Sequence, residues 1–202
     1  MNYTKTFAIS FVAVLGLDTH LATVRAQNTP ATAKGAQHDI PALRDGKHDF
    51  YFEVGTWRAH VKKLAHPLTG SQEWDDLFGT VVTRSLPMLE GWNESEMRVD
   101  SPSTHTHIEL LAVRLYNPKS HQWSIYGSSA KTGVFDPPQV GQFNNGRGEF
   151  YAQDTLQGRA ISIRFVWENV SASKTHFEQA FSIDGGRTWE PNWIYDGTRI
   201  IE

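Results

Sequence analysis

Two residues, Glu178 and Arg164, stand where they could do chemistry. Glu178 sits between Phe177 and Phe181, and a carboxyl held among aromatic rings loses hydration, rises in pKa and becomes a usable general acid or base. Arg164 lies in the preceding apolar run, Ile161 to Trp167, placed to hold an anionic group or to neutralise the acid across a strand pair. Either the two open into one cavity as a catalytic pair, or they form a structural ion pair. Glu149 and Asp154 make a weaker case of the same kind. Seven tryptophans accompany them. Trp123, Trp167 and Trp193, in mid-chain and late runs, are expected to face an interior and meet a flat or apolar molecule. Arg114 stands alone among apolar neighbours, and Tyr126 shares the run of Trp123. Trp92 and Asn93 follow a tight turn, with the Asn93 amide expected to make a polar contact at a cavity mouth.

Other chemistries lack their residues. There is no cysteine, which removes disulfides, thiolate metal sites and a thiol nucleophile. Among nine histidines, His105 and His107 put two imidazoles on one face of an extended segment, with no third ligand placed. No metal or cofactor is expected. Neither a Gly-x-Ser-x-Gly elbow nor a dinucleotide or phosphate loop is present; Asn145-Gly146-Arg147-Gly148 reads as a hairpin turn with no helix after it. A net charge of −3 carries no nucleic-acid footprint.

The elements around these residues read as strand, turn, strand from Gly55 onward. Trp57, Ala59 and Val61 alternate with Arg58, His60 and Lys62, the period of a half-buried strand. Further strands are predicted over 73–86 (with Gly79 as a bend or bulge), 92–99, 108–116 and 122–128. Two short ones flank 144–148, and others cover 161–167, 175–183 and 188–200. His48 to Val54 reads as a short helical turn. Consecutive short hairpins favour a closed antiparallel up-and-down barrel of about nine or ten strands over a Greek-key sandwich, which needs long crossovers. That all-β domain is expected over 47–202.

Lys5, the apolar run Phe7 to Leu15, and small residues at Val24 and Ala26 form the pattern of a signal peptide over 1–26. The run is too short for a permanent span; an uncleaved N-terminal anchor is the rival. Residues 27–46, rich in Ala, Thr, Gln, Pro and Gly, read as a flexible lead-in. The expected location is periplasmic or secreted.

Gly55-Thr56-Trp57 after a helical turn resembles the Gly-x-Trp start of lipocalins and wider calycins, which implies that Trp57 plugs a closed end with Arg199 stacked over it. Further segments resemble a bacterial domain-of-unknown-function family with a calycin barrel. They are His48-Asp49-Phe50, Arg114 to Pro118, Gln122 to Tyr126, Gly148 to Tyr151 with Asp154, Arg164 to Trp167, Phe177 to Ser182, and Asp184 to Glu190 followed by Asn192-Trp193. The likeness implies a fold and no activity. Ser182-x-Asp184-x-Gly186-x-Thr188-Trp189 resembles the Asp-box of sialidase propellers. A single copy without repeats reads as a hairpin device, with Asp184 and Trp189 structural. A haem barrel of the nitrobindin type has a glycine-rich first strand, whereas here Trp57 is followed by Arg58-Ala59-His60-Val61, so haem is not expected.

The sequence therefore predicts an exported barrel that binds a small hydrophobic or aromatic molecule. Two alternatives stand beside it: a cofactor-free isomerase, cyclase or lyase using Glu178 and Arg164, and an envelope structural or interaction protein with a filled barrel.

Overall fold

A computed structural model describes residues 44–201. The signal segment and most of the lead-in lie outside the described residues. A 3-10 turn, Tyr51–Glu53, precedes ten strands: β1 Gly55–Leu64, β2 Trp74–Ser85, β3 Trp92–Asp100, β4 His107–Asn117, β5 Gln122–Ser129, β6 Gln139–Asn144, β7 Arg147–Leu156, β8 Arg159–Ser171, β9 Lys174–Ser182 and β10 Glu190–Arg199. Each strand pairs antiparallel with its sequence neighbours, and β1 closes on β10 from Trp57↔Arg199 to Lys63↔Trp193. The chain is thus a closed up-and-down barrel of the lipocalin-like kind, and closure removes the sheet edges that an open meander would leave unpaired. Among the described residues no helix is long and apolar enough to cross a membrane.

Two local features shape the interior. Gly79 is no bulge, since its register with β1 and β3 is continuous. A Cβ there would come within 2.0 Å of the Arg98 carbonyl oxygen, so glycine permits the close approach of β3. The second feature is a thin seam. β5 and β6 pair only from Trp123↔Gly141 to Ile125↔Gln139, and β6 meets β7 only as far as Tyr151. Beyond that point the ends of β5 and β7 are bridged by the loop 130–138, which is tied down where the Asp136 N–H donates to the Gly127 carbonyl at 2.9 Å.

One end is shut by residues that precede the strands. Phe50 is fully buried, its ring centroid 5.0 Å from that of Trp123, 4.9 Å from Phe143 and 5.5 Å from Phe150. Gly46 fastens the segment: its N–H donates to the Tyr116 hydroxyl at 2.9 Å, and its carbonyl accepts from Trp123 Nε1 at 3.0 Å. The last residues of the expected lead-in therefore belong to the closed end. Trp57 donates to the Glu53 carbonyl at 2.7 Å. Arg199 lies 4.1 Å from a Trp57 ring centroid and donates to the carbonyls of Val54 at 2.7 Å and Phe52 at 2.6 Å. A half-buried cation on an aromatic face, its guanidinium bonded to backbone carbonyls, thus ties the last strand to the closed end.

Candidate ligand-binding site

Strand alternation sends every second residue inward, and above the aromatic plug those residues enclose a cavity of about 420 Å³. Val81, Met97, Leu110, Ile125, Phe165, Phe177 and Trp193 make its walls apolar. Gly127 also faces in, and a Cβ there would meet nothing within 4 Å. The seam forms the rim, where Ser129, Asp136, Gln153 and Asp154 line the opening. Burial pushes the Asp136 carboxyl above the ordinary aspartate value, and the charge of Asp154 pushes it the same way.

The floor of the cavity is polar. Asn93 and Arg114 are direct cross-strand partners, as are Thr83 and Ser95, so register alone assembles them. Arg114, 2% exposed, donates from Nη1 to Asn93 Oδ1 at 3.0 Å and to Ser95 Oγ at 2.7 Å. Ser95 and Thr83 hydroxyls are 2.7 Å apart. The guanidinium carbon lies 4.8 Å from the ring centroids of both Phe50 and Trp167, and a desolvated cation gains most from such faces. Tyr195 completes the floor beside Trp167, with ring centroids 6.3 Å apart. Beneath it, Glu53 is fully buried and accepts from the Thr175 hydroxyl. Burial raises the Glu53 pKa, while the Arg114 charge and the Thr175 bond oppose the rise. Burial also lowers the Arg114 pKa and raises that of the Tyr195 phenol.

Arg114, Trp167 and Trp193 line this cavity. Asn93 faces inward but stands at the closed end behind Arg114, which corrects its expected place at the mouth. Trp123 is also inward, yet it belongs to the plug. Trp92 and Tyr126 alternate with the inward residues and face outward; Tyr126 packs edge-on to Phe135, with centroids 6.3 Å apart.

The largest correction concerns Arg164 and Glu178. Both project from the outer face, and Arg164 Nη2 donates to Glu178 Oε1 at 3.2 Å with side chains 21% and 26% exposed. Arg164 also stacks 4.8 Å from the Trp189 ring centroid. Neither reaches the cavity, so the acid–base reading has no enclosed site to act in. Of the weaker pair, Asp154 lines the rim, whereas Glu149 bonds Arg147 and Tyr151 outside. The Asp184 turn is built as a hairpin device: its carboxylate accepts from the Arg187 and Thr188 amides at 3.0 and 2.9 Å and from the Thr188 hydroxyl at 2.7 Å. His107, bonded to Asp100 at 2.6 Å, is a surface residue. Phe50, Glu53, Ser95 and Tyr195 were not singled out from sequence. The first two precede the strands, and the last two have types common on any strand.

No family model matches the chain, and no curated protein matches it. Among solved structures it is similar to the S-type phycobiliprotein lyase CPES from Guillardia theta, with TM-score 0.51 and 10% identity over 79% of this chain and 95% of that one. It is also similar to Rv2717c from M. tuberculosis, with TM-score 0.52 and 9% identity over 79% of this chain and 99% of that one. At such identity the likeness carries the barrel and no activity.

Proposed function

We propose that this chain is an exported binding protein that takes a small, largely apolar or aromatic molecule into its barrel. The observation that carries the reading is the cavity of about 420 Å³ with apolar walls and a thin seam beside it. Its size falls within the roughly 300–1,000 Å³ typical of small-molecule sites. Apolar surface withdrawn from water would supply the affinity, and Trp167 and Trp193 would stack on a flat ligand. Export is supported by the basic, apolar and small-residue pattern of residues 1–26.

Titration with a panel of hydrophobic metabolites, followed by tryptophan fluorescence, tests the reading, since two of the indoles line the cavity. Gly127→Leu is the matched variant. Its side chain projects into open cavity space and leaves the strand favourably populated. The expected result is a saturable change in the wild type and at least a tenfold weaker one in Gly127→Leu, with an unchanged circular dichroism spectrum. Silence across the panel, together with no co-purifying small molecule in native mass spectra, overturns the reading.

A further inference from the structure

Resting on the binding reading, we infer that the ligand carries an anionic head group of the carboxylate class, seated on Arg114 at the closed end with its apolar body toward the seam. Among the described residues six buried side-chain polar atoms have no hydrogen-bond partner. Five of them belong to the floor: Glu53 Oε2, Asn93 Nδ2, Arg114 Nε, Trp167 Nε1 and Tyr195 Oη. A buried polar atom without a partner is costly and calls for an explanation at its own site. Four of these five can donate a hydrogen bond, and Arg114, Trp167 and Tyr195 line the cavity itself. A floor of donors around a permanent cation matches an acceptor that is itself charged.

The charges point the same way. A guanidinium stays protonated in a protein, and a buried cation without a partner is strongly disfavoured. Among the described residues Arg114 makes no ion pair within 4.0 Å; its Nη1 bonds are to the neutral groups of Asn93 and Ser95. Glu53 acts on it only through space, and burial drives that carboxyl toward its neutral form. A carboxylate entering from the seam would reach the Arg114 guanidinium at the cavity floor, and the sealed Arg114 Nε–H, Tyr195 hydroxyl and Trp167 indole N–H beside it would turn toward the new acceptor. Charge-assisted bonds in a dry site are the strong ones. The walls above hold one other ionisable pair, Asp136 and Asp154, at the rim. Its negative charge favours an orientation with the anion at the floor.

The decisive experiment compares probes that differ only in the head group: 2-naphthoate against 2-naphthamide, and decanoate against decanol, each titrated by tryptophan fluorescence and by calorimetry. The wild type should bind each carboxylate at least tenfold more tightly than its neutral analogue. Tyr195→Phe removes a hydroxyl that bonds nothing in the protein. It should therefore keep the wild-type melting temperature and lose severalfold in affinity for 2-naphthoate but not for 2-naphthamide. Arg114→Gln should abolish the preference for the acid. If the neutral probes bind as well as the acids in the wild type, the head-group assignment is overturned while the binding reading stands. If no probe of either kind binds and the metabolite panel is silent as well, the binding reading falls and takes this inference with it.

Discussion

Replacing Phe50 with alanine should be the most damaging single truncation at the closed end, even though Phe50 belongs to no strand. Its ring is fully buried, within 6 Å of four aromatic centroids, those of Trp123, Phe143, Phe150 and Trp167. The guanidinium of Arg114 rests on its face at 4.8 Å. Phe→Ala in a packed core costs about 3–5 kcal/mol, and the surrounding barrel, whose strands are paired all the way round, has little freedom to collapse into the hole. Domains of this size hold about 5–15 kcal/mol in all. The loss is thus a large share of the stability and should lower the melting temperature by roughly 6–20 °C, at about 2–4 °C per kcal/mol. Urea unfolding followed by circular dichroism gives the free energy, with the slope m unchanged if the barrel itself stays intact. Tyr51→Ala is the control: the neighbouring ring is 40% exposed, and surface changes of that kind stay within about 0.5 kcal/mol. A Phe50→Ala loss below about 1 kcal/mol would show that the pre-strand segment does not seal the barrel.

Two further outcomes follow from buried and bonded carboxyls. Burial raises the folded-state pKa of Glu53, so its contribution to stability is fully present below the unfolded carboxyl value of about 4.3 and is lost as pH rises through the folded value. Glu53→Gln keeps an oxygen for the Thr175 hydroxyl and should match the wild type near pH 4. It should then gain on it toward neutral pH by about 1.4 kcal/mol per unit of upward shift; urea unfolding at a series of pH values reads this, and a Gln variant that falls behind as pH rises refutes the burial argument. Asp184 behaves in the opposite sense. The Thr188 amide and hydroxyl, with Ser182 and Arg187, hold its carboxyl well below the usual aspartate range, so its bonds persist above the unfolded value and fail only as pH falls through the depressed one. Asp184→Ala should speed hydrogen exchange at the Arg187 and Thr188 amides at least tenfold at neutral pH, and exchange unchanged from the wild type would remove Asp184 as the turn's organiser.

The ten strands were legible because a period of two survives almost everywhere, and hairpin residues mark the turns between them. Which face of a strand turns inward is written less clearly. In β8, Ile163, Phe165 and Trp167 point in, yet the outward Val166 is also buried, and outward Arg164 lies against Trp189. The Asp184 hairpin lays Trp189 over this outer wall, where its ring also nears Tyr151 at 6.0 Å. The strand is therefore covered on both sides and loses the polar contrast that marks a solvated face. That is why Arg164 and Glu178 read as interior residues. Depth along the barrel is the second missing quantity. Trp123 and Trp167 both face inward, but only the register of ten strands decides that one enters the plug and the other the cavity.

The floor itself has a mixed origin, and this limits what any strand pattern could reveal. Arg114, Asn93 and Ser95 come from the adjacent strands β3 and β4, with Asn93 directly opposite Arg114 and Ser95 two residues along. The aromatic seat under the guanidinium and the nearest buried carboxyl come instead from Phe50 and Glu53, in the short segment before β1. Gly46 is bonded to Tyr116 and Trp123, and Arg199 is bonded to Phe52 and Val54, so both fasten that segment to the wall. The same few contacts that seal the closed end thus fix the position of Arg114, the one cation that faces the cavity among the described residues. Disturbing the pre-strand segment must change stability and head-group recognition together. Changes at the rim, where Asp136 and Asp154 face the opening, can alter recognition while leaving the plug intact. On the proposed reading, then, stability and head-group recognition are coupled at the closed end and separable at the rim.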